Sequence, residues 1–337
     1  VVGSPVVVVV PDVSVVVPTY NRRAVLARVL DALEHQTLDA DRFEVIVVSD
    51  GSTDGTDQLL ARWATSPRRQ AITQANAGPG AARNAGAAAA AGSLLVFVDD
   101  DVVPSPDLLV HHLAAHRRAG RSVAGFGPML KPVDVRQSPW VRWEHATLEK
   151  SYDALMSGRW DPSPRLFYSG NASVPASAFA AVGGFDVTRR RAEDTELAYR
   201  LADAGLGFTY VHDAVGWHHA ERSLASWLAI ASAYGGHDVE VVRAGQPWLF
   251  DAIIEEYPTR NPVTRAVTQV TVGRSRAVHL TSMALVSLGR LIDRAGGERI
   301  ARGAFSIVHN IRHYHGVAEA LGGRRGFLDT FVPGGRR

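Results

Sequence analysis

Residues 94–101 read Leu94-Leu95-Val96-Phe97-Val98-Asp99-Asp100-Asp101, an apolar run that ends in three consecutive carboxylates. The apolar part predicts a buried β-strand, because parallel strands covered on both faces carry near-continuous hydrophobic runs. Carboxylates at the end of such a strand are costly to bury unless a cation meets them. Oxygen ligands of this kind suit Mg²⁺ or Mn²⁺, often shared with substrate phosphates. The run therefore predicts a metal–phosphate site at a strand end; a solvated acidic turn before Pro104 and Pro106 is the alternative.

Strand and helix patterns alternate on both sides of this run. Apolar, β-branched stretches predict three more strands, at residues 13–17, 43–48 and 70–73. Amphipathic spacing predicts helices at residues 22–36 and 192–204. Further helices are predicted at 56–64, with Asp54 as a cap, at the alanine-rich 80–91, and at 106–119. Strands separated by helices form parallel βαβ units. We therefore expect an α/β fold with a mostly parallel, Rossmann-like sheet flanked by helices.

The pattern changes after residue 125. Residues 131–164 mix prolines and tryptophans and are predicted to form loops and short helices. A strand plus turn at 166–174 and a short strand at 208–211 follow. Helices then predominate, at residues 224–234, 248–256, 263–294 with interruptions, and 300–321. We expect an α/β domain over residues 1–220 and a mainly helical C-terminal region over residues 221–337.

Composition narrows the class of protein. The 337 residues include no cysteine, which excludes disulfides and thiolate metal sites. No apolar run approaches the roughly 20 residues that span a bilayer, and the first ten residues lack a basic segment, so we expect a cytoplasmic protein without a signal peptide. Residues 241–337 carry 14 arginines and seven acids, a net charge of +7, which indicates an anionic partner. Arginine- and alanine-rich usage indicates a GC-rich, bacterial genome.

Polar clusters follow several of the predicted strands. In open parallel sheets, ligands bind beyond the carboxyl ends of the strands. Such clusters occur at 18–21 after the first strand, at 49–55 after the second, and at 99–101 after the fourth. A glycine-rich stretch at 76–84 is neither a GxGxxG fingerprint nor a P-loop, which disfavours nicotinamide dinucleotides and P-loop chemistry. Together the clusters predict a crevice of nucleotide size.

The order and spacing of these clusters resemble those of family 2 glycosyltransferases. The four early motifs are Val15–Arg22, Ser49–Asp54, Asn76–Asn84 and Phe97–Asp101. Four later motifs extend the resemblance: Ser169–Ala172, Gly183–Asp186, Glu193–Glu196 and Trp217–His219. The resemblance spans roughly residues 13–220. It implies the GT-A fold and a nucleotide-diphospho-sugar donor.

The resemblance implies roles for residues on the donor side. Asp50 would hydrogen-bond the base in the manner of uracil recognition, which favours a UDP-sugar, although Ser49 stands where the family often has a second acid. Asp99 would touch ribose or sugar, and Asp100 is the variable middle position of the DxD motif. The other implied donor-binding residues are Pro18, Thr19, Asn21, Arg83, Asn171 and Glu193.

The resemblance also implies a metal site and a general base. Asp101 would ligate Mg²⁺ or Mn²⁺ together with His218, which we prefer over His219, with His212 a weaker candidate. Asp194 would take the proton of a hydroxyl acceptor as it attacks the anomeric carbon, with inversion. Acidity in the first turn of a helix, favourable to its dipole, is the alternative reading of residues 193–196.

Two functions of different class remain after these inferences. The first is an inverting, metal-dependent glycosyltransferase acting on a glycan, a lipid-linked glycan or a small natural product. The second is a catalytically silent sugar-nucleotide-binding or scaffold protein on the same fold. A stacking surface for sugars is a further hypothesis for Trp140, Trp143 and Trp160, whose alternative is core packing. A nucleic-acid role is disfavoured, because no recognised binding motif accompanies the arginines.

The helical region leaves one more choice open. Residues 263–294 combine apolar side chains with arginines and could lie on the inner face of an anionic membrane. The alternative is a helical subdomain that exposes a basic face. The sequence does not predict an oligomeric state.

Overall fold

The computed structural model describes residues 10–120, 122–133, 135–189, 192–243 and 247–332. The start of the chain, for which no signal peptide is expected, lies outside them. The chain divides into two compact units. The first contains Val1–Val135 and Thr147–Ala220, and the second contains Arg136–Ala146 and Glu221–Arg337.

The first unit is built on a mixed, mostly parallel sheet. Its strands, with those of a smaller sheet, are β1 (Val13–Thr19), β2 (Phe43–Asp50), β3 (Arg69–Gln74), β4 (Leu94–Val98), β5 (Val102–Pro104), β6 (Val123–Phe126), β7 (Met129–Leu130), β8 (Asn171–Pro175), β9 (Gly207–Tyr210) and β10 (Gly216–His218). The large sheet has the order β3-β2-β1-β4-β8-β6-β9, and the small one β5-β10-β7. Within the large sheet only β8 runs antiparallel to its neighbours. The predicted α/β fold with a mostly parallel sheet is therefore confirmed.

Helices cover both faces of the large sheet. They are α1 (Arg23–Glu34), α2 (Thr56–Trp63), α3 (Pro79–Ala89), α4 (Leu108–Arg118), the part of α5 (Pro139–Met156) that starts at Thr147, α6 (Ala176–Ala181) and α7 (Glu193–Asp203). Alternate residues of β1 enter different cores: Val15 and Val17 pack in one, and Val16 packs with Phe97 of β4 in the other. Burial on both faces explains why these strands read as continuous apolar runs.

One prediction for the first half of the chain is wrong. Residues 131–164 were expected to form loops and short helices, but Pro139–Met156 is a single helix of 18 residues. The prolines that indicated loops lie outside it or at its first position, where proline is compatible with a helix. A strand plus turn was predicted at 166–174. The structure has a 3₁₀ turn at Pro164–Leu166, followed by β8.

The second unit is helical, as expected for the C-terminal region. Its helices are α8 (Leu224–Arg243), α9 (Pro247–Thr259), α10 (Pro262–Thr271), α11 (Ser275–Arg294), α12 (Glu298–Ala320) and α13 (Arg324–Phe331). The predicted 263–294 segment is interrupted at Gly273, whose φ of 70° lies in the left-handed region. Helix α12 approaches α8 closely, since a Cβ on Gly316 would lie 2.0 Å from the Ser232 carbonyl oxygen. Among the described residues, no helix is long and apolar enough to cross a membrane.

Candidate active site

The first two loops of the site follow β1 and β2 at the same edge of the sheet. Thr19 is aligned with Ser49 across these parallel strands. Pro18 and Thr19 are buried at the end of β1. Asn21 has a φ of 53°, and its side-chain oxygen accepts a 2.7 Å hydrogen bond from the Thr53 backbone N–H. Pro18, Thr19 and Asn21, three of the implied donor-binding residues, thus lie together, and the Asn21 side chain joins the two loops.

Asp50 organises the glycine-rich stretch that precedes α3. Its carboxylate accepts hydrogen bonds from the backbone N–H groups of Ala77 and Gly78, at 2.9 and 2.8 Å. The Gln74 side-chain amide donates a third, at 2.7 Å. The chain packs tightly here, since a Cβ on Gly51 would lie 2.9 Å from the Asn76 backbone nitrogen. Asp50 therefore lies at the predicted edge and also holds the loop after β3.

Arg83 joins two acidic motifs that are far apart in sequence. It lies on α3, and its side chain is only 6 % exposed. Its guanidinium donates to an Asp99 carboxylate oxygen at 2.6 Å and to a Glu193 carboxylate oxygen at 3.0 Å. The guanidinium carbon also lies 5.4 Å from the centre of the Phe185 ring. The resemblance implies a donor-binding role for Arg83; the structure shows it between Asp99 of the DxD motif and Glu193, the residue before the predicted base. Sequence spacing alone did not reveal the contact with Glu193.

Asp194 lies next to this ion pair in the first turn of α7. The preceding Ala192 has a left-handed φ of 52°, and one Asp194 carboxylate oxygen accepts from the Thr195 backbone N–H at 2.8 Å. Burial raises the pKa of the Asp194 carboxyl to about 6, and the charge of Glu193 adds to the rise, while Arg83 opposes it. Asp194 is therefore ionised at neutral pH and basic enough to accept a proton.

The end of the Asp triplet faces β10. Asp101 is buried, and one carboxylate oxygen lies 3.6 Å from His218 Nε2. The other accepts from Arg22 Nη1 at 2.8 Å. The His219 backbone N–H donates to the Asp101 carbonyl, and its imidazole Nδ1 lies 3.3 Å from Arg28 Nη1. Of the candidate histidines, the structure thus brings His218 to the Asp101 carboxylate.

Two further features of the triplet were not foreseen. Arg22, the last residue of the first motif, pairs with the Asp101 carboxylate. In the sequence, a role for Arg22 was indicated only by its place in that motif. The pKa of the Asp100 carboxyl is raised to about 7, mainly by burial and also by the neighbouring Asp101 charge, while the Arg22 charge opposes the rise. His212, the weakest metal candidate, lies 3.0 Å from Asp213.

The side chains around Asp101 provide donor atoms for the divalent ion that the family resemblance implies. The described residues contain no group of three or more histidine, cysteine or acidic side chains arranged to hold a metal. They do provide one carboxylate, on Asp101, facing one imidazole, on His218. Mg²⁺ and Mn²⁺ are commonly held by one or two protein ligands completed by substrate phosphates and water. The donor set fits such an ion when a diphosphate supplies the remaining ligands.

Asn171 is placed inside the molecule rather than at the crevice. It is fully buried, and its side-chain amide donates to the carbonyls of Pro128 and Ala214 at 3.1 and 2.7 Å. Its side-chain oxygen must therefore accept from His112 Nε2, 3.0 Å away. His112 Nδ1 in turn accepts from Ser173 Oγ at 2.9 Å. The Asn171 side chain therefore holds the loops before β7 and β10 in place. The donor-binding role implied for Asn171 is corrected accordingly to a structural one.

The predicted stacking surface of tryptophans is not formed as an open surface. Trp140 is buried in the second unit and donates through Nε1 to the Arg222 carbonyl at 2.9 Å. Trp143 packs edge-on against Trp227, with ring centres 5.7 Å apart. Trp160 is about half exposed. Core packing, the alternative reading, describes the first two.

Comparison with known proteins places this geometry in a family. The model of the family described as glycosyl transferase family 2 matches residues 14–194. Validoxylamine A glucosyltransferase of Streptomyces hygroscopicus subsp. jinggangensis is 34% identical over 235 aligned residues, and the match covers 61% of this chain and 55% of that protein. Pre-mycofactocin glycosyltransferase of Mycobacterium tuberculosis is 31% identical, over 67% of this chain and 46% of that protein. The chain thus spans about half the length of these relatives.

Solved structures with the same fold come from more distant proteins. The mannosyltransferase PcManGT from Pyrobaculum calidifontis, solved with GDP-Man and Mn²⁺, superposes with a TM-score of 0.60 at 21% identity. The match covers 90% of this chain and 87% of that one. Residues 1–349 of S. aureus TarS, solved with UDP-GlcNAc, give a TM-score of 0.55 at 17% identity, over 92% and 91% of the two chains. These similarities confirm the GT-A fold.

Proposed function

The chain belongs to glycosyl transferase family 2, and from this premise we propose that it transfers a sugar from a nucleotide-diphospho-sugar to a hydroxyl acceptor with inversion. The observation that carries the proposal is the ion pair of Arg83 with both Asp99 and Glu193. It gathers the carboxylates of the DxD motif and of the α7 motif around one buried cation. Asp194, the residue after Glu193, is thereby held beside the strand edge where a donor would bind.

We assign the chemical step to Asp194. The acceptor oxygen attacks the anomeric carbon, the bond from that carbon to the diphosphate oxygen breaks, and the acceptor proton passes to the Asp194 carboxylate. Attack opposite the leaving group inverts the anomeric centre. A base with a pKa near 6 is deprotonated at neutral pH and still accepts a proton.

On the donor side, we assign the nucleoside to the loops after β1 and β2. Pro18, Thr19 and Asp50 lie at that edge, and a UDP-sugar is the donor we propose because a carboxylate such as Asp50 can accept from the uracil N–H. Asp101 and His218 would hold Mg²⁺ or Mn²⁺. Such an ion, when bound, would stabilise charge developing on the diphosphate. The acceptor classes to be screened are glycans, lipid-linked glycans and small natural products.

The substitution Asp194→Asn tests the assignment of the base. We expect UDP release in the presence of a panel of acceptors to fall by about 10²–10⁴-fold, the usual contribution of general base catalysis. Binding of UDP-glucose with Mn²⁺, measured by titration calorimetry, should change by less than about twofold, because the change keeps the size of the side chain.

The matched control is Asp203→Asn, at the exposed far end of the same helix, which should retain the wild-type rate. A wild-type rate in Asp194→Asn would refute the base assignment. Donor binding by the wild-type chain without release of UDP to any acceptor would instead favour the silent binding protein.

The metal assignment has a readout that does not depend on turnover. We expect Asp101→Asn and His218→Ala each to weaken Mn²⁺ binding in the presence of UDP by roughly tenfold or more, measured by electron paramagnetic resonance. The exposed His212 provides the control, His212→Ala, with unchanged affinity. Full activity in excess chelator would contradict the metal assignment.

A further inference from the structure

Helix α11 of the second unit carries an apolar face that the neighbouring helices leave exposed. Leu280, Met283, Leu288 and Leu291 are spaced at i, i+3, i+8 and i+11, which places them on one side of the helix. Their exposed fractions are 68, 37, 49 and 64 %. The opposite side is buried, and a Cβ on its Gly289 would lie 3.2 Å from the Phe305 ring of α12. The helix is therefore apolar on both sides, and among the residues that the structure describes, only the side of Gly289 is buried against a neighbouring helix.

Cationic side chains lie at both ends of the exposed face. Arg276 precedes Leu280 by one turn, and Arg294 follows Leu291 by three residues. The two arginines are 18 positions apart, which is five full turns, so they lie on the same side of the helix as the leucines. Both are exposed. Arg290 is also exposed, and its guanidinium carbon lies 4.9 Å from the centre of the Trp140 ring.

Acidic side chains are missing from this face. Residues 275–292 contain no aspartate or glutamate. The next acid, Asp293, is directed to a different partner, the Arg142 guanidinium. The exposed face thus combines four large apolar side chains with arginines whose charge is not balanced on the same face.

We propose that this face of α11 lies on the surface of an anionic lipid membrane. Apolar side chains would enter the boundary between headgroups and acyl chains, while the arginines would extend to lipid phosphates. The stretch from Leu280 to Leu291 is about 17 Å long at 1.5 Å per residue, which suits a helix lying in the plane of the membrane. Each arginine near an anionic surface is expected to add roughly fivefold to the affinity.

A second copy of the chain is the alternative occupant, and the charges disfavour it. In a two-fold symmetric dimer each copy presents the same patch to the other. Antiparallel pairing of the two α11 helices would place Arg276 of one copy near Arg294 of its partner, with no acid between residues 275 and 292 to compensate. An anionic lipid surface instead supplies the opposite charge along the whole face.

All residues of this face belong to the helical unit. Membrane binding can therefore be tested independently of the proposed transfer reaction. The test is flotation of the full chain with vesicles of phosphatidylcholine alone or with about one third phosphatidylglycerol. We expect binding to the anionic vesicles, weakening as salt is raised, and little binding to phosphatidylcholine.

Two double variants separate the apolar and ionic contributions. Leu280→Ser with Leu291→Ser should reduce binding at least tenfold, and Arg276→Gln with Arg294→Gln should reduce it about 25-fold on anionic vesicles only. The controls are Val187→Ser and Arg325→Gln, at exposed positions outside α11, which should bind as wild type. Circular dichroism melts verify that each variant is folded.

Several results would overturn the proposal. One is failure of the folded wild-type chain to float with anionic vesicles. Another is wild-type binding by both double variants. A concentration-dependent dimer in light scattering that is abolished by the two serine substitutions would assign the face to a second copy instead.

Discussion

Asp194 stands between a like charge and an opposite charge, and this arrangement sets its basicity. Burial makes its ionised form costly, Glu193 makes it costlier, and Arg83 partly compensates. Arg83 itself pairs with Glu193 and Asp99, so the DxD motif and the motif at the start of α7 share one cation. A change at Glu193 should therefore reach Asp194 by charge alone, without any contact between their side chains.

This coupling predicts the acidic limb of the pH–rate profile. In the wild type, transfer should fall as the pH drops below about 6, because protonated Asp194 cannot take the acceptor proton. Glu193→Gln removes the like charge, so the pKa of Asp194 should fall and the limb should move to lower pH. The measurement is kcat/KM for UDP release between pH 4.5 and 8.

A second acid of the same helix controls for a general loss of negative charge. Glu196 pairs with Arg200 at 2.6 Å, and Glu196→Gln should leave the limb in place. A limb that stays at the wild-type pH in Glu193→Gln would show that Asp194 does not govern it.

Single residues show where sequence reasoning reached the site and where it did not. The ordered motifs predicted roles for Asp99, Asp101 and Asp194, and Arg83 joins Asp99 to Glu193, the neighbour of Asp194. The pairing of Arg83 on α3 with Glu193 on α7 could not be predicted. It depends on how α7 packs beside α3, and spacing along the chain does not show this. The sequence also could not reveal that the Asn171 side-chain amide would form its hydrogen bonds with buried groups of the protein.

At the level of elements, periodicity predicted best where an element packs on a large sheet. Leu26, Val29, Leu30 and Leu33 form the buried face of α1, and their spacing alone located the helix. The small sheet went unpredicted, because β5, β7 and β10 have only two or three residues, too few to show a period. That sheet is also what brings His218 opposite Asp101, so its position in space could not be derived from local sequence.

The packing of α3 on the sheet depends on a helix glycine. A Cβ on Gly86 would lie 2.4 Å from Val16 Cγ1 in the middle of β1. Alanine normally stabilises a helix by up to about 1 kcal/mol relative to glycine. At Gly86 the added methyl group should instead force α3 away from the sheet, and overpacking of this kind costs about 1–3 kcal/mol.

We therefore expect Gly86→Ala to lower the free energy of unfolding, measured by urea denaturation. The matched control is Gly303→Ala in α12, where, in the described part of the chain, no heavy atom outside the local backbone of that helix and the two chain neighbours lies within 4 Å of an added Cβ. That variant should gain about 0.5–1 kcal/mol. Equal stability changes in the two variants would mean that α3 does not depend on close approach to β1.

Across the whole molecule, both units enclose histidines in neutral form. Burial lowers the pKa of His112 to about 4 and that of His116 to about 4, in the first unit. In the second unit, the pKa of His309 is lowered to about 3, mainly by burial and also by the nearby His313 and Arg260. The Asn171 side-chain oxygen accepts from His112 Nε2, which fixes the His112 proton on that nitrogen. Ser173 Oγ donates to His112 Nδ1 and accepts from His116 Nε2 at 2.8 Å. Protonation of His112 would therefore put a second donor against the Ser173 hydroxyl.

These histidines predict loss of stability in mild acid. Each folded-state pKa lies below the unfolded value of about 6.5, so the stabilisation is fully present above pH 6.5 and is lost as the pH falls toward 4. Within that window each group contributes a slope of at most about 1.4 kcal/mol per pH unit.

His112→Gln removes one such group while keeping a donor for Asn171 and an acceptor for Ser173. The slope of unfolding free energy against pH should therefore become shallower in His112→Gln and remain unchanged in His279→Gln, at an exposed position on α11. Parallel slopes in the wild type and His112→Gln would show that His112 is not held neutral by the fold.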